Sequence, residues 1–156
     1  MPSITFRIET PDDEAFLRRL YASTREDEMA LTDWPLEQQT VFINLQFDLQ
    51  RHHYRSFYPN ADFLLVSNLN KPIGRFYINC DAKAYQLIDI SLLPDSRGQG
   101  VGGLLLKSLL DQASAQAKPV RLQVACCNRA IDLYSRLGFA PTGGDDVYRQ
   151  MEWHPT

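Results

Sequence analysis

The sequence predicts a mixed α/β domain, with helices and strands interleaved around a sheet that is at least partly antiparallel. Three observations predict it. Apolar periodicity switches repeatedly between two and about 3.6 along the chain. A turn-rich stretch joins two adjacent strand candidates. No linker, internal repeat or low-complexity tract divides the 156 residues, so residues 1–156 are expected to form one domain with a core of its own.

Ile4 to Glu9 reads Ile-Thr-Phe-Arg-Ile-Glu, whose period of two predicts a half-buried strand. Thr10-Pro11-Asp12-Asp13-Glu14 then starts a helix, with Thr10 as cap, Pro11 in the first turn and acids against the dipole. Phe16, Leu17, Leu20 and Tyr21 form its apolar stripe. Arg25 to Asp33 is a polar, mostly acidic connection, and Trp34-Pro35 marks the next boundary. A second helix follows from Leu36 to about Tyr54, with Phe42, Leu45 and Leu49 at helical spacing and Val41 and Phe47 on flanking faces.

Asp62 to Ser67 and Ile73 to Asn79 are strands of an antiparallel hairpin, joined by Asn68-Leu69-Asn70-Lys71-Pro72. Tyr85 to Leu93 is a third strand, ended by Pro94. Gly102 to Ala117 is a helix carrying Leu106, Leu110, Ala113 and Ala117 along one side. Val120 to Ala125 is a strand, Asn128 to Leu137 a short helix and Val147 to Trp153 a final strand.

Composition narrows the function classes. The chain is 44% hydrophobic and 22% charged, which argues against disorder and fibrous repeats. Sixteen basic against nineteen acidic residues, with no basic run, leave no electrostatic footprint for nucleic acid. The three cysteines, Cys80, Cys126 and Cys127, have neither zinc nor disulfide-framework spacing. The N-terminus has charges where a signal peptide needs apolar residues, and no run is long enough to span a membrane. A reduced, cytoplasmic location is the expectation.

The most informative stretch is Leu92-Leu93-Pro94-Asp95-Ser96-Arg97-Gly98-Gln99-Gly100-Val101-Gly102-Gly103. A strand stops at proline, the chain turns through glycines and a helix begins. Unpaired N–H groups at such a helix start, approached without Cβ hindrance, make an anion site. Gly102 and Gly103 in the first helical turn cost roughly 1 kcal/mol each relative to alanine, which a purely structural turn does not require. Gly98, Gly100 and Gly103 match the dinucleotide fingerprint, but the strand that should end in its acidic residue runs into Cys126-Cys127. No Gly-Lys-Ser or Gly-Lys-Thr follows, so the ATPase phosphate loop fails too.

Arg97-Gly98-Gln99-Gly100-Val101-Gly102 resembles the Gln/Arg-x-x-Gly-x-Gly/Ala signature of the GNAT superfamily of N-acetyltransferases. Asn128-Arg129-Ala130-Ile131-Asp132-Leu133-Tyr134-Ser135-Arg136-Leu137-Gly138-Phe139 looks like the second signature of that family, in the expected order after one helix and one strand. The close resemblance runs from about Gln86 to Phe139, and residues 1–85 match in layout only.

The resemblance implies a central, mostly antiparallel sheet flanked by helices, with a splayed strand pair holding acetyl-CoA. Backbone N–H groups of Arg97, Gly98, Gln99, Gly100, Val101, Gly102 and Gly103 would hold its pyrophosphate. Leu92 and Leu93 would pair with the pantetheine arm, and their N–H groups would polarise the thioester carbonyl. Asn128 would bind the arm or order the loop, besides reading as a helix N-cap.

Tyr134 would donate a proton to the departing thiolate; its other reading is the packed aromatic of an amphipathic helix. Asp89, on a mostly apolar strand, is the candidate general base or substrate anchor, with Ser91 as a relay; alternatively the strand turns it outward. The acidic cluster Glu26, Asp27, Glu28 and Asp33 reads as a solvated loop before it reads as an amine attractor. His52 and His53 lie about 100 degrees apart on a helix and make no metal face.

The implied activity is acetyl transfer to the primary amine of a small molecule or peptide by direct attack in a ternary complex. No nucleic acid, membrane or metal is expected, and a homodimer is compatible with the family. The competing reading is a catalytically silent acyl-CoA-binding or regulatory module on the same fold.

Overall fold

Alternating and helical patterns assemble in chain order as β1 (Ile4–Ile8), α1 (Glu14–Thr24), α2 (Glu26–Ala30), α3 (Leu36–Phe57), β2 (Asp62–Asn68), β3 (Lys71–Cys80) and β4 (Tyr85–Leu92). These are followed by α4 (Val101–Ala115), β5 (Val120–Ala125), α5 (Ala130–Arg136), β6 (Ala140–Gly144) and β7 (Tyr148–Trp153), with single turns of 3-10 helix at Pro11–Asp13 and Pro94–Ser96. The computed structural model describes residues 3–156. Its strands form one seven-stranded sheet in the order β1-β2-β3-β4-β5-β7-β6.

Every neighbouring pair is antiparallel except β4 and β5. That parallel pair is in register only at Tyr85–Val120, Gln86–Arg121 and Leu87–Leu122. Beyond Leu87 the two strands part, yet each keeps its other partner. β4 follows β3 as far as Gly74–Leu92, and β5 follows β7 as far as Ala125–Tyr148. Rigid support on the outer side of each strand holds the gap open. The implied fold class and its splayed pair are present.

Side chains alternate across the sheet, so β2 sends Val66 into one core and Leu65 into another. The larger core packs Val101, Leu105, Leu106, Leu109 and Ala113 of α4 against Phe76, Leu87, Leu122 and Met151. The second packs Phe16, Leu17, Leu20 and Tyr21 of α1 with Ile43 and Phe47 of α3. Full burial of each leucine contributes about 1.5–3 kcal/mol, so both helical layers are firmly seated.

Local sequence explains most boundaries. The Asp13 carboxylate accepts from the Thr10 N–H at 2.8 Å and from Arg7 Nη1 at 2.8 Å, which sets the entry to α1. Leu69 and Asn70 adopt φ values of 50° and 66°, closing the β2–β3 hairpin in two residues.

Several expectations are corrected. β1 is mostly exposed rather than half-buried, because it is an edge strand paired only with β2. The acidic connection contains α2, a five-residue helix with no fully buried residue and only Met29 partly packed against the second core, so it leaves no apolar period. On α3 the inward residues are Ile43 and Phe47, whereas Val41, Leu45 and Leu49 are exposed. Contact with α1, including Tyr21 edge-on to Phe47, chooses between the two apolar faces. Ala117 lies beyond α4 in a left-handed turn, not on its buried side. β6 has no apolar alternation, and its exposed Ala-Pro-Thr-Gly-Gly forms a strand only by pairing with β7.

Candidate active site

The gap between β4 and β5 is a cleft of about 180 Å³ lined by Asp89, Ile90, Gln123, Asn128, Tyr134 and Tyr54, among others. The glycine loop follows the end of β4 and leads into α4. Gly98 and Gly100 have φ values of 71° and 84°, a conformation that favours glycine, and Gly100 is the residue before α4. The first N–H of α4 to find a carbonyl is that of Leu104, which donates to Gly100 O at 3.0 Å. The preceding N–H groups are the unpaired donors of a helix start.

Side chains brace the loop. Arg97 Nε donates to Leu92 O at 2.9 Å, and Gln99 Nε2 donates to Asp95 O at 2.7 Å. An added Cβ at Gly98, Gly100 or Gly103 would meet no protein atom within 4 Å. The backbone therefore faces open space where phosphate oxygens can approach. These residues fit a pyrophosphate.

The Leu93 N–H donates to Ile73 O at 2.7 Å, so it is not free to polarise a thioester carbonyl; that part of the expectation is corrected. Alternation along the strand turns the Leu92 N–H toward the opposite side, the side of the gap. Asn128 has the local role its position suggests, since its Oδ1 accepts from the Ala130 N–H at 2.8 Å at the start of α5. That leaves its side-chain amide N–H groups for the cleft it lines.

Tyr134 is buried on α5, 5.7 Å from the Phe139 ring, and its position lines the cleft. Burial, reinforced by the charge of Asp89, pushes its phenol up to about 12. It is therefore both packed and a standing proton donor at neutral pH.

Asp89 turns inward, with a side chain 15% exposed. Its Oδ1 accepts from Ser91 Oγ at 2.8 Å. Its Oδ2 accepts from Arg75 Nη2 at 2.5 Å and from Tyr54 Oη at 3.3 Å. Arg75 is 4% exposed and also donates to Gln50 Oε1 at 2.6 Å. Burial pushes the guanidinium pKa down, but the Asp89 carboxylate and its neighbours more than offset this, and the net shift is upward. Burial, then Asp89, pushes the Tyr54 phenol well above its ordinary value.

Arg75, Tyr54 and Gln50 were not singled out from the sequence. A legible signal existed for Arg75, a charge inside Ile73-Gly74-Arg75-Phe76-Tyr77-Ile78. None existed for Tyr54, whose face depends on how α3 docks.

Other candidates stay outside the cleft. Glu26 lines a separate cavity of about 480 Å³ with residues of α1 and α3, and Glu28 pairs with Arg25 at 2.9 Å. His53 stacks on Phe57. Among the described residues no group of three or more His, Cys, Asp or Glu could hold a metal ion. No helix of the described residues is long and apolar enough to cross a membrane.

Residues 59–141, more than half of the chain, match the family model described as an acetyltransferase (GNAT) domain. The chain belongs to the GNAT acetyltransferase family. Solved GNAT-fold structures agree along nearly the whole chain. A PaiA N-acetyltransferase from Thermoplasma acidophilum, in complex with coenzyme A, has a TM-score of 0.73 at 20% identity, covering 97% of this chain and 99% of that one. A ribosomal-protein alanine N-acetyltransferase from Escherichia coli has a TM-score of 0.66 at 18% identity, covering 98% and 94%. A spermidine N-acetyltransferase SpeG chimera from Vibrio cholerae has a TM-score of 0.66 at 18% identity, covering 97% and 95%. At these identities the likeness establishes the GNAT fold. No curated protein sequence matches the chain.

Proposed function

We propose that this chain is an acetyl-CoA-dependent N-acetyltransferase acting on a primary amine by direct attack in a ternary complex, with residues 1–156 as one catalytic domain. The observation that carries the reading is the parted β4–β5 pair, whose cleft is lined by an inward carboxylate and a buried phenol, with β4 running on through the glycine loop to the open N-terminus of α4. The coenzyme A bound to the Thermoplasma acidophilum neighbour supports the choice of ligand, and the spermidine acetyltransferase supports an amine acceptor.

Acetyl-CoA supplies an acetyl group activated as a thioester. The N–H groups of Gly98 through Gly103 bind its phosphates, with the α4 dipole favouring negative charge, whereas the expected Arg97 N–H is taken up by Pro94 O at 3.2 Å. Leu92 and Leu93 line the arm through backbone, with Leu92 supplying the free N–H, and the Asn128 amide steadies it from the β5 side. Tyr134 gives its phenolic proton to the leaving sulfur. Asp89, with Ser91 bonded to one oxygen, anchors the incoming ammonium and accepts a proton through water.

The test is thermal unfolding with acetyl-CoA, ATP and NADH in separate wells, followed by CoA release with a panel of amines. Ligand at a hundred times its dissociation constant stabilises by about 2.7 kcal/mol, so a bound nucleotide is easily seen. A shift with acetyl-CoA alone is expected, reduced in Gly100→Ala. A shift with ATP or NADH instead would overturn the reading.

A further inference from the structure

We infer that the Tyr54 hydroxyl and the Asp89 carboxylate form the subsite for the acceptor ammonium, and that Arg75 tunes this subsite to a singly charged amine. The inference deepens the acetyltransferase reading and rests on it. Tyr54 sits on the inward face of α3, with its ring edge-on to Tyr77 at 6.1 Å. It is the residue of α3 that lines the β4–β5 cleft. Its one phenolic hydrogen is committed to Asp89 Oδ2. What Tyr54 then offers the cleft is oxygen lone pairs, which accept an N–H and cannot donate to a carbonyl.

Asp89 is similarly defined. A carboxylate has about four lone-pair sites, and Ser91, Arg75 and Tyr54 occupy three. The site that remains is on Oδ1, the oxygen that Ser91 bonds, because Arg75 and Tyr54 share Oδ2. That oxygen and the Tyr54 hydroxyl belong to one hydrogen-bonded pair, and two acceptors so linked suit an ammonium or amine, whose N–H groups diverge from one nitrogen. Both acceptors are held by groups that do not move with the substrate: the ring of Tyr54 by Tyr77, and Asp89 by a guanidinium itself tied to Gln50.

Charge sets the substrate class. Among the described residues lining the cleft, Asp89 is the one that carries a formal charge at neutral pH. The buried guanidinium of Arg75 cancels it across a direct ion pair. A cleft with no net charge gains nothing from a second or third ammonium and penalises burying one. The acceptor it favours is a monoamine, not a polyamine.

The experiment compares wild type with Tyr54→Phe at saturating acetyl-CoA, using butylamine, phenethylamine and spermidine as probes. The variant keeps the ring and should unfold near the wild-type midpoint. Its KM for the monoamines should rise about tenfold, with KM for acetyl-CoA unchanged. In wild type, kcat/KM for spermidine should not exceed that for butylamine. An unchanged amine KM, or a spermidine preference of tenfold or more, overturns the inference while leaving the acetyltransferase reading intact.

If wild type binds acetyl-CoA but acetylates none of the probes, the acetyltransferase reading fails separately. Butylamine is then titrated calorimetrically into the protein loaded with CoA. Binding that weakens about tenfold in Tyr54→Phe supports the subsite; equal binding, or none to wild type, overturns it.

Discussion

Replacing Tyr134 with phenylalanine removes one hydroxyl from the cleft and little else. The ring is 5% exposed and packs beside Phe139, and both features survive the change. No hydrogen bond to a protein group contributes to the upward shift of its phenol, so the variant should lie within about 1 kcal/mol of wild-type stability. Its chemical effect should be large. With a pKa of about 12, the phenol is ionised in about one molecule in ten thousand at pH 8, against about one in a hundred at its ordinary value near 10. It is thus protonated through the whole working range.

Losing that proton donor should lower kcat by about 10²- to 10³-fold, equivalent to about 2.7–4 kcal/mol at the transition state. The assay is steady-state CoA release at saturating amine, with acetyl-CoA affinity measured separately by calorimetry. Affinity should stay close to wild type, and the wild-type rate should show no alkaline fall from this phenol below about pH 11. Wild-type kcat in the variant would refute the proton-donor role. A loss confined to acetyl-CoA affinity would make Tyr134 a binding residue instead. Binding without turnover in both proteins would favour the silent acyl-CoA module.

Two further outcomes concern stability. A Cβ at Gly74 would meet Ser91 O at 2.2 Å, so Gly74→Ala must push β3 from β4; urea unfolding should show a loss of about 2 kcal/mol or more. The hydrogen bond from Arg7, partly opposed by burial, lowers the Asp13 carboxyl from 3.8 to about 2. A depressed carboxyl contributes stability above its unfolded value that is lost as pH falls through the folded one. Arg7→Ala should therefore cost up to about 1 kcal/mol at neutral pH, because Arg7 is largely exposed, and the deficit should shrink between pH 4 and 2 in acid-unfolding curves.

Several elements were legible because local chemistry dictates them. Thr10-Pro11 with its acids starts α1, the Asn-rich turn closes a hairpin, and the glycines before α4 need both left-handed backbone and open space. The two signature stretches carry the glycine loop, Asn128 and Tyr134, because each is a contiguous run whose geometry is set within a few residues. Elements with no local cause were not legible. β6 exists only through β7, and the inward face of α3 depends on α1.

The sequence by itself determined the glycine-rich turn before α4, the order of helices and strands, and a carboxylate on an apolar strand. Only the tertiary structure decided what that carboxylate meets. Arg75 comes from the neighbouring strand and Tyr54 from a helix 35 residues away in sequence, brought together by sheet register and helix docking. Contacts of that kind are properties of packing, where two apolar faces compete and burial chooses, so no local pattern in the chain encodes them.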